Sequence, residues 1–272
     1  MKPAAEVCSQ KQNITMKAVV LLALFVVATG GYECPMHSVP YQVSLRAGGH
    51  YCSGSLISSQ WVLSAGQCAT SWPKVCLGEH SFSVDEGTEE CIYSEKTFLH
   101  PDFNIDTMDN SIVLFKLSRP ATLNSYVKTV SLPSLCPVAN EDCMQSGWGK
   151  TSSNGRQDAL CTLNRPPVCR RANRERAYYP SNLQCRRQPI VDDAICRNLI
   201  TTVPEVTENM VCAGSVHGDG NDCPADAGGP LVCNDELQGV VSVSVDCFNG
   251  NPTLYTRVCR YVSWISSIMS SN

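Results

Sequence analysis

Cysteine constrains this chain most: seventeen of its 272 residues carry a thiol. That density is a hazard in a reducing compartment, so the sequence predicts an exported protein whose sulfurs are paired. Seventeen is odd, so at least one sulfur is unpaired, shared between chains or absent from the mature protein. A hydrophobic fraction of 43% with 17% charged residues argues for a packed core and against disorder. The net charge of −4, from 21 Lys+Arg against 25 Asp+Glu, argues against a nucleic-acid binder, since phosphate contact needs a positive excess.

The long apolar run from Ala18 to Ala28 follows Met16-Lys17. As a helix it rises about 16 Å, too short for a bilayer core of about 30 Å. A basic residue, an apolar stretch and small residues after it read as a secretory signal over residues 1–28. Met16 is a second candidate start, which would leave Cys8 and the sequon Asn13-Ile14-Thr15 outside the protein altogether. Residues 29–272 suit one β domain, with no linker, repeat or low-complexity tract. A secreted, extracellular monomer with no membrane attachment after signal removal is expected.

Val39, Tyr41, Val43 and Leu45 alternate with Pro40, Gln42 and Ser44, and Val241, Val243 and Val245 with Ser242 and Ser244. Period two predicts half-buried strands, and short segments of this kind between Gly, Pro, Asn and Asp clusters predict a barrel or sandwich. The period changes only at the end, where Val258, Tyr261, Val262, Ile265, Ile268 and Met269 fit one face of a terminal helix. Residues 158–177 follow neither period. They carry Arg165, Arg170, Arg171, Arg174 and Arg176 around Pro166-Pro167, with Cys161 and Cys169. A solvated loop, a site for an acidic partner and translated intron sequence all stay open as readings of this insertion.

Three segments line up in one order: Trp61-Val-Leu-Ser-Ala-Gly-Gln67-Cys68, Asp109-Asn110-Ser111, and Cys223-Pro-Ala-Asp226-Ala227-Gly228-Gly229-Pro230. With Gly30-Gly31-Tyr32, the run from Ser38 to Leu45 and Ser146-Gly-Trp-Gly149, they resemble the trypsin-like serine proteases of the chymotrypsin family. The resemblance covers nearly all of residues 30–272. It implies an all-β fold of two antiparallel six-stranded barrels with a short C-terminal α-helix.

It also implies where an Asp-His-Ser relay would stand, and there the chain departs. The general-base slot before Cys68 holds Gln67, the orienting-aspartate slot after Asn110 holds Ser111, and the nucleophile slot after Asp226 holds Ala227. A methyl cannot attack a carbonyl, so no acyl-enzyme forms at Ala227. An amide takes up no proton near neutral pH, so Gln67 gives no general-base help. None of the five histidines (His37, His50, His80, His100, His217) occupies the base slot, and His50 is by resemblance structural. In a comparable protease one such loss costs about 10⁶ in turnover, and further losses do not add.

The specificity pocket departs as well. By resemblance its floor slot holds Asn221 beside Asp222, and its wall slots hold Ser244 and Thr253, with Val243 for the usual aromatic residue and Ala225 for the oxyanion-hole glycine. An amide does not hold a Lys or Arg side chain by charge. The expected Ile-Val-Gly-Gly reads Ala28-Thr29-Gly30-Gly31, with no basic residue for activation cleavage, although Asp226 retains the slot that receives the new amino terminus.

Resemblance further implies the disulfides Cys34–Cys185, Cys52–Cys68, Cys136–Cys259, Cys143–Cys233, Cys196–Cys212 and Cys223–Cys247. Cys76 and Cys91 flank a loop and are either bridged or free; Cys161 and Cys169 would close the Arg-rich loop. The acidic loop between Cys76 and Cys91 suits Ca²⁺ through Glu79, Glu89 and carbonyls at Ser81 and Val84, as in trypsins, or is a solvated hairpin. No other cofactor is expected. Two functional readings follow: an inactive secreted protease homologue that binds a protein or peptide or is vestigial, and a weakly active hydrolase using a non-standard nucleophile.

Overall fold

The computed structural model describes residues 31–149, 179–216, 226–243 and 251–272. Residues 1–28, expected to be a secretory signal, the Arg-rich stretch 158–177 and residues Asn221, Cys223, Ala225, Ser244 and Cys247 lie outside the described residues.

The chain enters at the two-residue strand β1 (Tyr32–Glu33) and then winds six strands: β2 (Gln42–Arg46), β3 (His50–Ser58), β4 (Trp61–Ser64), β5 (Lys74–Leu77), β6 (Glu90–Leu99) and β7 (Val113–Leu117). These close into a barrel in the order β2-β3-β4-β7-β6-β5, every pair antiparallel. The remaining strands are β8 (Asp142–Gly147), β9 (Gln184–Pro189), β10 (Met210–Ala213), β11 (Pro230–Cys233), β12 (Glu236–Val243) and β13 (Thr253–Arg257). They form a second antiparallel sheet, β1-β9-β8-β11-β12-β13-β10. Its ends are stitched by a bridge between Ile190 and Ala213, with Val191 N–H donating to Cys212 O and Gly214 N–H to Pro189 O, each at 2.9 Å. A two-residue turn at Asn234-Asp235, both with positive φ (48° and 63°), joins β11 to β12, matching the twist that tight hairpins require.

Val43 and Leu45 are buried as the alternation predicts, but so are Gln42 and Ser44. The strand is covered on both faces because the second sheet packs over its polar side, where Ser146 Oγ donates to Gln42 Oε1 at 2.7 Å. The terminal helix is α2 (Val262–Ser271), preceded by a 3-10 turn over Val258–Arg260. Val258, Tyr261 and Ile265 join one apolar cluster with Leu45, Leu63 and Phe115 of the first barrel and Leu237 and Val240 of the second, so the helix seals the seam between them. A further helix, α1 (Asp193–Leu199), has no apolar periodicity that announces it; Asp192 caps it by accepting Ala194 N–H at 2.9 Å.

Candidate functional site

After β4 a 3-10 turn over Gly66–Cys68 carries Gln67 into the seam. Its Oε1 accepts the Ser111 hydroxyl at 2.6 Å, and its Nε2 donates to the Ser242 carbonyl of β12 at 2.7 Å. These partners fix the amide's orientation, oxygen toward the hydroxyl and nitrogen toward the carbonyl. Ser111 is completely buried; its Oγ also accepts Gly66 N–H at 3.1 Å, and its carbonyl accepts the Thr256 hydroxyl of β13 at 2.7 Å. Gln67 and Ser111, brought together as the sequence order implies, thus tie the first barrel to the second through two short hydrogen bonds. The hydroxyl of Ser111 faces an amide oxygen, which is far too weak a base to activate it.

The turn bearing Ala227 reaches the same seam. Its carbonyl accepts Ser53 N–H at 2.9 Å and lies 3.6 Å from Cys68 Sγ. Gly228 has φ +84°, and a Cβ there would meet Ser64 Oγ at 2.1 Å and Ser53 O at 2.2 Å, so only glycine fits. This tight turn carries the Ala227 methyl at the position the resemblance assigns to a nucleophile.

One residue earlier, Asp226 is enclosed, its side chain 11% exposed. Its Oδ2 accepts Trp148 N–H at 2.7 Å, Ser53 Oγ–H at 3.0 Å and the His50 ring at Nε2, 3.2 Å away. On the far side of the ring, Nδ1 lies 2.9 Å from Ser44 Oγ, an oxygen that also accepts Arg46 Nε–H at 3.3 Å. The Asp226 carboxylate can only accept, which puts a ring proton on Nε2. The rings of Phe82 and Trp148 flank His50 with centroids at 4.9 and 5.5 Å. Ser44, His50 and Asp226 are in line, but Ser44 is completely buried within β2, where no substrate carbonyl can meet its hydroxyl.

Nearby ionisable groups are also engaged. Asp109 accepts from Thr207 Oγ1 at 2.7 Å and Asn209 Nδ2 at 3.1 Å, so it does not stand in for an aspartate at Ser111. His100 sits against Tyr261 and Trp264; burial holds its pKa below the ordinary histidine value although Asp102 and Asp109 pull it up. Of the pocket slots, Thr253 opens β13 and is buried, while Asn221 and Ser244 lie outside the described residues.

The described residues contain the bridges Cys34–Cys185, Cys52–Cys68, Cys136–Cys259, Cys143–Cys233 and Cys196–Cys212. Cys76, whose pairing the sequence leaves open, joins Cys91 across β5 and β6. Cys223–Cys247 and any bridge involving Cys161 and Cys169 lie outside the described residues.

The residues expected to hold calcium do not converge. Glu79 Oε1 pairs with the Arg46 guanidinium. Glu89 spends both oxygens on backbone N–H groups, Glu86 at 2.8 Å and Thr88 at 2.9 Å, and Ser81 Oγ lies 3.0 Å from Ser83 Oγ. Glu86 accepts His80 N–H at 3.0 Å, and Val84 is exposed. Among the described residues no three His, Cys, Asp or Glu side chains group to hold a metal ion. As built, this loop does not fit Ca²⁺.

Sequence reasoning missed the donors of Asp226 (Ser53, Trp148 and His50) and Ser44 beyond the ring, as well as Arg46 and Phe82. The signal available was a set of polar residues, Gln42, Ser44, Ser53 and Ser55, recurring between apolar ones and suggesting a wet face.

A family model described as "Trypsin" matches residues 28–180 and 169–265, the two stretches overlapping from the Arg-rich insertion to just beyond its end. A "Trypsin" of Sus scrofa is 46% identical over 244 residues, covering 89% of this chain and 96% of its own length. "Trypsin-3" of Salmo salar is 46% identical over 244 residues, covering 89% and 93%. A "Trypsin" of Xenopus laevis is 43% identical over 267 residues, covering 94% of this chain and its own full length.

Proposed function

The chain belongs to the trypsin family of chymotrypsin-type serine proteases, and from that membership we propose that it is a secreted family member without peptidase activity, acting as a binding scaffold for a protein or peptide. One observation carries the reading. Where a base must stand between an acid and a nucleophile, the Gln67 amide joins Ser111 to the Ser242 carbonyl, and the nucleophile position is the methyl of Ala227. Each group in that chain is satisfied by a partner, and none can take a proton from a hydroxyl at neutral pH.

The reading of a hydrolase with a displaced nucleophile lacks support. Ser111 faces no base, and Ser44, which does face His50, is completely buried. The Asp226 carboxylate, which would receive an amino terminus on activation, is already engaged by His50, Ser53 and Trp148. Secretion is supported by the leader-like residues 1–28 and by disulfides distributed over both barrels.

The test is incubation of the purified secreted protein with peptide esters and a fluorophosphonate probe. No turnover and no labelling are expected, from the wild type or from Ala227→Ser, because the restored hydroxyl would still lack a base. Stoichiometric labelling at any serine of the wild type would overturn the reading.

A further inference from the structure

We propose that Arg46 is the resident cation of the acidic hairpin at residues 78–89, so that this hairpin closes without a divalent ion. The hairpin carries three glutamates: Glu79, Glu86 and Glu89. Two of them are stabilised locally as acceptors of backbone N–H groups, Glu86 from His80 and Glu89 from Glu86 and Thr88. Glu79 has no such donors. Its side chain is 8% exposed, and its Oε2 is buried with no hydrogen-bond partner. A buried carboxylate in that state needs a positive charge beside it.

The charge arrives from β2. The Arg46 guanidinium pairs with Glu79 Oε1 and is fixed by two further contacts. Its Nε–H donates to Ser44 Oγ at 3.3 Å, and its Cζ lies 5.0 Å from the centroid of the Phe82 ring. Phe82 belongs to the hairpin itself and stacks on Trp148 at 4.6 Å. The cation is thus held from one side by the barrel and from the other by the segment it neutralises. A divalent ion at Glu79 would have to compete with a tethered guanidinium already on Oε1 of that carboxylate.

Burial pushes the Glu79 carboxyl above the ordinary value, Arg46 pulls it back, and Glu89 pushes it up again.

Thermal unfolding of the full secreted chain, read in millimolar CaCl₂ and in EGTA, tests the proposal alongside calorimetric calcium titration. The wild type should melt identically in both and give no calcium heat, and Arg46→Lys should behave likewise. Arg46→Met should melt lower in EGTA and recover by roughly 5 °C in calcium, as expected for an ion present at about a hundred times its Kd. Calcium heat or a calcium-induced rise in the wild type overturns the proposal, as does an Arg46→Met protein indifferent to calcium. Where Arg46→Met gives no soluble protein, Arg46→Met/Glu79→Gln decides. It should fold and ignore calcium; a double variant as labile as the single one overturns the inference.

Discussion

Asp226 and Ala227 are consecutive in the chain, yet the structure treats them in opposite ways. Around Asp226 three donors converge on one oxygen, with further bonded groups behind them: Ser44 and Arg46 beyond His50, Gln42 and Ser146 beyond Ser53. Around Ala227 the side-chain bonding takes another form: a clasp, Ser111 to Gln67 to Ser242, that joins the first barrel to the second sheet. The groups that hold the seam together are thus separable from those that would act on a substrate. An amide can replace an imidazole where the requirement is to bridge two partners; it cannot where the requirement is to accept a proton.

The comparison breaks most visibly at Asp226. Asp226→Ala removes the shared acceptor of Trp148 N–H, Ser53 Oγ–H and His50 Nε2–H, leaving buried donors unpaired. The expected cost is about 3–5 kcal/mol, read from the shift in denaturant midpoint. A loss under about 1 kcal/mol would mean that the enclosure is incidental to stability. Next in size is Gln67→Ala, which strands the Ser111 hydroxyl and the Ser242 carbonyl and should cost about 1–3 kcal/mol by the same measurement. A neutral Gln67→Ala would show that the clasp holds nothing, and the two sides of the turn would then differ only in degree.

Most of the architecture was legible beforehand for physical reasons. Alternating apolar residues report on strands, while the disulfide pairings and the slots Gln67, Ser111 and Ala227 could be read only through the resemblance of their flanking motifs to the trypsin-like family. The cradle of Asp226 was not legible. Gln42, Ser44 and Ser53 occupy the polar half of an alternating pattern, which in an isolated strand means solvent, and only the packing of a second sheet over that face turns them inward. Helix α1 escaped because seven residues are too few to establish a period of 3.6. Arg46 reads as a strand-end surface residue, and its partner Glu79 lies thirty-three positions away in a loop that sequence alone assigns to a metal as readily as to solvent.

The smallest effect separates two carboxylates within that loop. Glu79 has a folded pKa above its ordinary 4.5, chiefly through burial, so its protonated form is favoured in the native state. Its contribution to stability is present in acid and is lost as pH rises through the folded value. For Glu89 burial also acts upward, but backbone N–H groups of residues 86–89 outweigh it and hold the pKa below 4.5. Its contribution is present above the ordinary value and is lost as pH falls through the folded one. In denaturation series between about pH 3 and 7, bracketing the ordinary carboxylate range, Glu79→Gln should therefore make stability climb more steeply toward neutrality than in the wild type. Glu89→Gln should flatten the same climb. Parallel profiles for the two variants would mean that the hairpin does not discriminate between its acids, and the burial of Glu79 would then carry no electrostatic cost for Arg46 to relieve.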